Sequence, residues 1–385
     1  MNRRAFIRLT GGGVVLAAVQ NLAGCSSDIP SEAIVAWQGP MNEPDVRKWI
    51  LSYAILAPHS HNLQSWLVDL GQPNEMTLYC DLNRLLPETD PYSRQIMMSQ
   101  GTFLELLDMA ARERGRRADI ELFPEGTFDS KTLDQRPTAR IRLSTDPTVT
   151  QDPLFSQILK RRTNREAYES KDIPQAAIRD ITASTASYPI RVGFVGAGDP
   201  DFLRKHRAIA AEAWRIELVT PRTILESYKV LRIGPSEIAK YRDGLTLNKP
   251  LPRMLVSLGL FNRLKAPAPD DYAITSQVKE FNAKLGSTPA FFWMITEGNG
   301  RRTQVDAGRA YVRAQLAATS QGLSMHPISQ ALQEYPEQAS PYAEVHQLLS
   351  APPPRFTVQM WTRLGYAPVI GPSPRRGLTE HIIKV

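Results

Sequence analysis

The sequence predicts an α+β protein made of two fused half-domains, each with a central, mainly antiparallel sheet flanked by helices. The chain has 385 residues, a length that suits two related units better than one core. Residues 67–70 and 76–80 read as paired strands across a turn. An offset of 207 positions aligns small and apolar residues of two long helices, which indicates an internal duplication. The aligned pairs are Gly101 with Gly308, Ala110 and Ala111 with Ala317 and Ala318, Gly115 with Gly322, Met98 with Val305, and Met109 with Leu316.

The first 25 residues have the pattern of an export signal. Arg3 and Arg4 stand in a twin-arginine motif, and a short apolar run leads to a Leu-Ala-Gly-Cys box that ends at Cys25. The run 9–24 contains glycine and is too short to span a bilayer. We therefore predict a removed signal at 1–24, acylation of Cys25, and a linker at 25–44. The address would be the periplasm or cell envelope, with a lipid anchor in the membrane if Cys25 is acylated; a plain exported protein is the alternative.

The N-terminal half is predicted to cover 45–150. Asp45 is placed to cap a helix that carries Val46, Trp49, Ile50 and Tyr53 on an apolar face and stops before a proline. A long helix is predicted over 96–114 and a strand over 139–145.

The C-terminal half is predicted to cover 151–385. It starts with a helix through Phe155 and Ile158, and the stretch 219–288 is rich in proline and charge, which indicates an inserted, lid-like excursion. The other elements are predicted as strands at 190–195, 291–295 and 356–361 and helices at 201–218 and 304–322.

Charge and cysteine content exclude two classes of protein. The formal charge is +7, of which three positive charges lie in the predicted signal, and the remaining basic clusters are short and lack interleaved aromatic residues. This is a poor pattern for nucleic-acid binding. Cys25 and Cys80 are the two cysteines, so acylation of the first would leave no internal disulfide. Twin-arginine export carries folded proteins, which favours a cofactor bound before transport.

Two polar segments are candidates for a binding site. Residues 57–66 place hydroxyl, amide and imidazole groups after a helix end, and such groups satisfy the carbonyl and N–H edge of a flavin. In the second segment, Arg161 and Arg165 are predicted to share a helical face, with Arg162 and Thr163 between them. Guanidinium groups clustered in this way can chelate a phosphate dianion. Taken singly, the first segment also reads as a capped loop and the second as a solvated basic turn.

Together the two segments resemble the FMN-binding nitroreductase superfamily, and in particular its fused, Acg-like branch. That family has a serine-asparagine-glutamine-tryptophan loop after a helix, an arginine-rich start of the catalytic half and a C-terminal basic pair. The C-terminal pair is matched here by Arg375 and Arg376, after the run 363–367. The helix and turn 308–330 are similar to the family's helix and the proline turn that follows it. The resemblance spans 45–383, although 219–288 matches loosely.

The resemblance implies one FMN, held in a site that ordinary family members build between two subunits. Fusion would place the site within one chain, as a monomeric pseudo-dimer or in a homodimer. The basic groups would hold the phosphate and ribityl chain, the first loop would approach the ring from the other half, and the proline turn would lie beside its N5 edge. The groups implied for the phosphate and ribityl chain are Arg161, Arg162, Thr163, Arg165, Arg375 and Arg376. The loop residues implied to approach the ring are Pro58, Ser60 and Asn62, and the turn residues implied beside N5 are Pro327, Ser329 and Gln330.

The sequence departs from the family pattern at His59, where a small hydroxyl residue is common, and at Ser65, where proline is usual. The implied activity is that of an oxidoreductase, in which the flavin carries hydride to small electron-poor acceptors such as nitro compounds or quinones. The donor would be reduced nicotinamide or another carrier. No side-chain nucleophile or catalytic triad is expected. The alternatives are a protein that binds and sequesters FMN beneath the lid, and a structural lipoprotein with vestigial motifs.

Two further motifs suggest other chemistry and are weaker. The run Gly196-Ala197-Gly198 lies between a predicted strand and helix, as a dinucleotide-binding loop would, but Asp201 stands where a third glycine belongs. His59 and His61 could ligate a metal if His206 or His326 joined them. No carboxylate or cysteine stands at ligand spacing nearby, so we expect no metal.

Overall fold

The computed structural model describes residues 29–384 of the chain. The predicted signal at 1–24, the lipidation site Cys25 and the first part of the predicted linker lie outside the described residues. Within the described range, no helix combines the length and the apolarity that crossing a bilayer requires.

Helix ends follow the local capping chemistry. The Asp45 side chain accepts a hydrogen bond from the Arg47 N–H, as predicted for the first helix, and Asp199 accepts one from the Phe202 N–H. The helices, named α1 to α10 in chain order, are Val46–Ala54, Arg94–Glu113, Gln175–Ala183, Pro200–Val219, Pro221–Lys229, Gly234–Tyr241, Pro250–Ser257, Tyr272–Gly286, Arg301–Ser320 and Ala339–Leu348.

The strands form two main sheets and one small one. Sheet one has the order β11-β1-β2-β4-β3, sheet two has the order β5-β8-β10-β9, and β6 pairs with β7. All neighbours in the two main sheets are antiparallel except β1 and β11. The strands, β1 to β11, are Trp66–Asp69, Glu75–Cys80, Arg116–Leu122, Ala139–Thr145, Ile190–Val195, Leu231–Ile233, Leu245–Leu247, Ala290–Glu297, Ser324–Pro327, Phe356–Gly365 and Ile382–Ile383. This confirms the predicted α+β class with mainly antiparallel sheets.

The end of the chain returns to the first half. Strand β11 runs parallel to β1, with Val68 opposite Ile382, and the Val68 N–H donates to the His381 carbonyl at 2.7 Å. The described part of the predicted linker is also packed into the fold, because Trp37 is buried in the core around sheet one. The two halves are therefore interlaced at both ends of the described chain.

The core of each sheet is built from its alternating side chains. Apolar residues of α1, α2 and α9 cover sheet one. Sheet two is buried on both faces, since Phe291 contributes to one cluster and Phe292 to another. The two clusters lie on opposite sides of β8, and Tyr311 of α9 belongs to the second. Helix α9 therefore touches both sheets and holds the second part of the site described below.

Two glycines let α2 and α9 touch through their backbones. A Cβ on Gly101 would lie 2.0 Å from the Val305 carbonyl oxygen, and one on Gly308 would lie 1.9 Å from the Met98 carbonyl oxygen. The 207-residue offset equates Gly101 with Gly308 and Met98 with Val305. Replacing each residue by its equivalent turns the first contact into the second. This is the contact pattern of a two-fold symmetric interface.

Two local predictions differ from the structure. The helix predicted through Phe155 and Ile158 is wrong, because only the 3-10 turn Phe155–Gln157 forms there. The Phe155 ring packs on Trp49 and Tyr53, and the apolar run ends before it reaches the length of a stable helix. Strand β3 was not predicted, because its alternating charged residues lie at the edge of sheet one and read locally as a basic cluster.

The stretch 219–288 is more ordered than its composition suggests. It contains α5 to α8 and the two-stranded β6–β7 sheet, and three of its residues, Ile224, Tyr228 and Ile274, are buried with Leu218 in a small core of their own. Its short helices and strands pack around that core. The sequence of this stretch therefore lacks the alternation of apolar and polar residues that marks the strands of the two main sheets.

Candidate functional site

The first candidate loop has an unusual backbone. His61, Asn62 and Gln64 adopt positive φ angles of 48°, 55° and 55°. Such conformations cost energy for residues other than glycine, and they persist where surrounding contacts enforce them. Helix α2 supplies several of those contacts: Thr102 donates to the Pro58 carbonyl at 2.7 Å, and the Ser60 N–H donates to the Ser99 hydroxyl at 3.2 Å.

His59 and Ser65 brace the two ends of this loop. The His59 Nε2 atom accepts hydrogen bonds from the Ser65 hydroxyl at 2.7 Å and from the Ser65 N–H at 3.1 Å. Its Nδ1 atom lies 2.7 Å from the Ser60 carbonyl, so Nδ1 carries the proton. Burial lowers the pKa of His59 to about 3, with a smaller effect of the positive charges of Arg375 and Arg376. The ring is therefore neutral and serves as a brace.

Asn62 and Gln64 connect the loop to the C-terminal segment. The Asn62 amide nitrogen donates to the Pro374 carbonyl at 3.1 Å, and its oxygen accepts a hydrogen bond from Arg375. Gln64 is fully buried, and its side-chain oxygen accepts from the Arg376 N–H at 2.9 Å. The structure thus brings Asn62 and the predicted C-terminal arginines together.

The arginine segment is not helical. Residues 161–165 are extended, and Thr163 forms an isolated parallel bridge with Met325 beside β9. The prediction that Arg161 and Arg165 share a helical face is therefore wrong. Pairing at Thr163 directs the backbone along the edge of sheet two, so alternate side chains go to different surroundings.

Three arginines converge on one tryptophan. The guanidinium carbons of Arg161, Arg162 and Arg375 lie 5.6, 4.5 and 5.3 Å from the Trp37 ring centroid. Arg161 and Arg375 both donate to the Leu56 carbonyl, at 2.9 and 3.4 Å. Trp37 is held in turn by its indole N–H, which donates to the Ser373 carbonyl at 2.8 Å. We call these four residues the arginine cluster: Trp37, Arg161, Arg162 and Arg375.

The arginine cluster carries uncompensated positive charge. None of its arginines forms an ion pair with any carboxylate of residues 29–384. Burial lowers the pKa of Arg161 to about 10, and burial followed by repulsion from Arg161 and Arg162 holds the pKa of Arg375 well below its ordinary value. The Nε atoms of Arg161 and Arg375 are buried and have no hydrogen-bond partner in the described protein. A bound anion would satisfy both the charge and these donors.

A second group of polar side chains includes Arg165 and its neighbours. We call these residues the second group: His61, Arg165, Tyr311, His326 and Arg363. The side chain of Arg165 is exposed, and desolvation by the surrounding protein atoms lowers its pKa. Its charge acts on His61 of the first loop and on His326 of β9, and burial lowers the pKa of His61 to about 4. Tyr311 of α9 lies close enough to feel both Arg161 and Arg165, and its buried hydroxyl has no partner in the described protein.

Arg363 of β10 belongs to this second group and was not predicted as a site residue. It is fully buried opposite His326, with its guanidinium carbon 4.1 Å from the Tyr168 ring centroid. Its Nη2 atom donates to the Glu166 carbonyl at 2.6 Å, while Nε and Nη1 have no partner in the described protein. A single arginine inside an apolar strand gives no sequence pattern that marks a binding site. Arg363 is recognised as a candidate site residue only because the structure buries its charge.

The proline turn begins at the end of β9, a strand that the sequence did not predict. The Ile328 N–H donates to the Trp361 carbonyl at 2.8 Å, which fixes the turn between Pro327 and Ser329 on sheet two. The Gln330 side chain hydrogen-bonds to Glu217 of α4, which also accepts from Gln333 at 2.7 Å. Burial raises the pKa of Glu217 to about 7.

Arg376 lies apart from the arginine cluster. Its side chain donates to the Gln64 carbonyl and lies 3.3 Å from the His381 Nδ1 atom, and the charges around it are those of Arg84, Asp243 and other carboxylates. Among the residues predicted for the phosphate, the structure therefore gathers Arg161, Arg162 and Arg375. It places Arg165 in the second group, Thr163 beside β9 and Arg376 behind the first loop.

The stretch 219–288 fastens onto the first loop. The Gly244 N–H donates to the Asn62 carbonyl at 3.1 Å, and Gln64 donates to the Arg242 carbonyl at 2.9 Å. Between them, the buried carboxylate of Asp243 accepts from Arg232 at 2.8 Å and forms an ion pair with Arg84. The stretch 219–288 therefore contacts Asn62 and Gln64, which also bind the C-terminal segment.

The two weaker motifs have structural roles. Asp199 caps α4, and the run before it lines an open groove of about 590 Å³ that shares no residue with the arginine cluster or the second group. His206 accepts a hydrogen bond from the Trp361 indole N–H at 2.8 Å, away from His59. No cluster of three or more histidine, cysteine, aspartate or glutamate side chains in the described range could hold a metal ion.

Comparison with known proteins identifies the class. The nitroreductase family model matches residues 158–366, which is more than half of the chain. The chain therefore belongs to the nitroreductase family. The matched range contains the arginine segment, the proline turn and β10, and it begins after the first loop.

Two relatives and two solved structures give the scale of the similarity. Proteins from Mycobacterium tuberculosis strains H37Rv and CDC 1551, provisionally described as NAD(P)H nitroreductases, are each 27% identical over 90% of this chain and 96% of their own length. The FMN- and NADPH-dependent nitroreductase NfnB of a Sphingopyxis strain has a TM-score of 0.37 and 17% identity, covering 60% of this chain and 97% of that one. The FMN-dependent nitroreductase NfnB of Mycobacterium smegmatis, solved in complex with NADPH, has a TM-score of 0.35 and 20% sequence identity. That match covers 58% of this chain and 94% of the other.

Proposed function

We propose that this protein is an FMN-dependent oxidoreductase that reduces small electron-poor acceptors such as nitro compounds or quinones. Family membership supports the reaction class, and the relatives' descriptions support a nicotinamide as one candidate donor. Another electron carrier is the alternative donor.

The observation that carries the proposal is the arginine cluster. Arg161, Arg162 and Arg375 meet beneath Trp37 without a carboxylate from the described protein. Arg161 and Arg375 are buried and Arg162 is partly exposed. Like charges gathered in this way are costly unless a ligand pairs with them, and a phosphate dianion has the charge and the acceptor oxygens to do so. These side chains would therefore hold the phosphate of FMN.

The second group fits the remainder of the cofactor. Arg165, Arg363 and Tyr311 would present donors to the region between the first loop and β9. Nε and Nη1 of Arg363 and the hydroxyl of Tyr311 have no partner in the described protein. When bound, FMN supplies hydride transfer through its ring. The protein's own contribution would be to orient that ring and to place fixed positive charge near it, which stabilises a reduced, anionic state electrostatically.

A sequestering function is the second candidate. It is favoured by the hydrogen bonds from Gly244 and Gln64 that fasten the insertion to the first loop. If the insertion covers the ring, an acceptor has no face to stack on. The protein would then retain FMN without turnover.

We also keep two proposals that concern the N-terminus and the assembly. The twin-arginine pattern and the box ending at Cys25 support export to the periplasm or cell envelope with a lipid anchor. The glycine contact between α2 and α9 supports a single chain acting as its own pseudo-dimer, because it reproduces a two-fold interface internally.

The test starts from the purified full chain and its absorbance as isolated and after addition of FMN. We expect a yellow protein, and we expect Arg161→Ala combined with Arg375→Ala to lose at least about a hundredfold in FMN affinity, since each charge-assisted contact contributes about 1.5–3 kcal/mol. Arg204→Ala is the matched control, because Arg204 is an exposed arginine whose partner is Asp201.

Turnover then separates the two candidate functions. The flavin-loaded protein is mixed with a nitroaromatic, either in the presence of NADPH or after its flavin has been reduced with dithionite and the excess dithionite removed. Reduction of the nitroaromatic supports the oxidoreductase, while bound FMN with neither donor supporting turnover supports sequestration. A colourless protein that takes up no FMN would contradict both.

A further inference from the structure

The segment 249–265 leaves large apolar side chains in solvent. Helix α7, Pro250–Ser257, buries none of its residues. Directly after it, Leu258, Leu260 and Leu264 are 62%, 68% and 89% exposed. Single exposed leucines are ordinary, but three within seven residues of one segment make a patch that needs an explanation.

This exposure is not the result of a loosely attached segment. Phe261 lies among the exposed leucines and packs on the Tyr228 ring with centroids 5.0 Å apart. Arg263 donates to the Leu231 carbonyl and to Glu237, at 2.5 and 2.6 Å. The segment is therefore fastened by Phe261 and Arg263, and the fastening leaves Leu260 and Leu264 on the solvent side.

The same segment has a one-sided charge. Residues 244–269 contain Lys249, Arg253, Arg263 and Lys265 and no aspartate or glutamate. Arg263 is paired with Glu237, and Lys249 has a distant partner in Glu280 at 3.6 Å. Arg253 and Lys265 form no ion pair with any carboxylate of the described residues. The exposed leucines therefore lie beside two cations, Arg253 and Lys265, that have no carboxylate partner in the described part of the chain.

We propose that residues 249–265 dock onto the surface of an anionic lipid bilayer. Exposed leucines can enter the boundary between headgroups and acyl chains, while the lysines and arginines remain at the level of the anionic headgroups. A second copy of this chain is disfavoured as the occupant, because a symmetric contact would bring the same cations together. The surface is independent of the proposed flavin chemistry, and it does not depend on acylation of Cys25.

The experiment is co-sedimentation of the full chain with vesicles, in a Cys25→Ser background that removes any acyl anchor. Vesicles of phosphatidylcholine alone are compared with vesicles that also contain phosphatidylglycerol. We expect binding to the anionic vesicles that weakens with added salt. Leu260→Ser with Leu264→Ser should reduce the partition coefficient by at least about tenfold, because two apolar side chains no longer enter the bilayer.

Val369→Ser is the matched control, since Val369 is a fully exposed apolar residue outside the segment. It should bind like the parent protein. Equal binding by the double serine variant, or no preference for anionic vesicles, would overturn the proposal. So would a concentration-dependent dimer in light scattering that the double variant abolishes, because that result would assign the patch to a second copy.

Discussion

The imidazole of His59 accepts hydrogen bonds from both the hydroxyl and the backbone N–H of Ser65. These are the two positions at which the sequence departs from the family pattern that it resembles. A proline at position 65 would have no N–H to donate, and a small hydroxyl residue at position 59 would not reach across the loop. The two departures therefore form one contact, and each has its physical reason in the other.

The first prediction is that His59 and Ser65 are energetically coupled. We expect His59→Ser and Ser65→Pro each to cost about 1–3 kcal/mol of unfolding free energy, because each leaves buried groups unpaired. The double variant should cost clearly less than the sum. Urea unfolding of the four proteins measures the coupling, and costs that simply add would show that the contact is incidental.

The second prediction concerns the helix crossing. Gly308→Ala would place a Cβ against the Met98 carbonyl, so α2 and α9 must separate. We expect a loss of about 3 kcal/mol or more, as for other overpacked cores. Gly286→Ala is the control, because no atom lies within 4 Å of its new Cβ and alanine favours a helix. Thermal unfolding compares the two, and equal melting temperatures would contradict the close contact.

The third prediction concerns the insertion. Asp243→Asn removes the charge that Arg84 and Arg232 share in a buried position. We expect a loss of about 2 kcal/mol and faster amide exchange in the loop around Asn62, because both partly exposed arginines lose a charged partner while Arg84 keeps its ion pair with Asp81.

Asp201→Asn is the control for this variant, since Asp201 forms an exposed pair with Arg204 and should lose less than about 0.5 kcal/mol. Hydrogen exchange followed by mass spectrometry measures the amide exchange rates of the loop around Asn62. Unchanged exchange around Asn62 in the Asp243 variant would show that the insertion does not stabilise the loop.

The fourth prediction is a pH dependence of stability. Burial raises the pKa of Glu217 to about 7 in the folded protein, above its ordinary value of 4.5. The folded state therefore holds an extra proton between these values, and the stabilising contribution is complete below pH 4.5 and lost as the pH rises through 7. Over that window the contribution should fall by about 3 kcal/mol.

Glu217→Gln should remove this part of the pH dependence, because the amide does not titrate. Unfolding free energies of the parent and the variant are measured from pH 4 to pH 8. A difference between them that stays constant across the range would contradict the shifted pKa.

The regular elements were largely predictable because they are fixed by local pattern. The strands at 139–145 and 190–195 match the structure residue for residue. The long helices α2 and α9 match within three residues at each end. The two glycines that align at the offset of 207 residues are those at which the backbones of α2 and α9 touch, because a Cβ at either position would prevent the contact. The 3-10 turn at Phe155 and the edge strand β3 were missed because packing, rather than pattern, decides them.

The site was predictable to the extent that its chemistry depends on residue type. Arg161 and Arg375 could be nominated because clustered guanidinium groups are expensive without an anion. Trp37 could not, because it meets Ser373 across 336 positions of sequence and lies in a segment that read as a linker. Arg363 and Tyr311 were missed for a related reason, since their unsatisfied donors are a property of the folded surroundings.

The pairing of β1 with β11 has a consequence for folding. Val68 pairs with Ile382, and Arg375 hydrogen-bonds to Asn62 across 313 positions of sequence, so distant parts of the chain must meet before sheet one is complete. Such contacts close a long loop, and the chain entropy lost in closing it makes them slow to form. We therefore expect sheet one to gain its outer strand only after its antiparallel strands have paired.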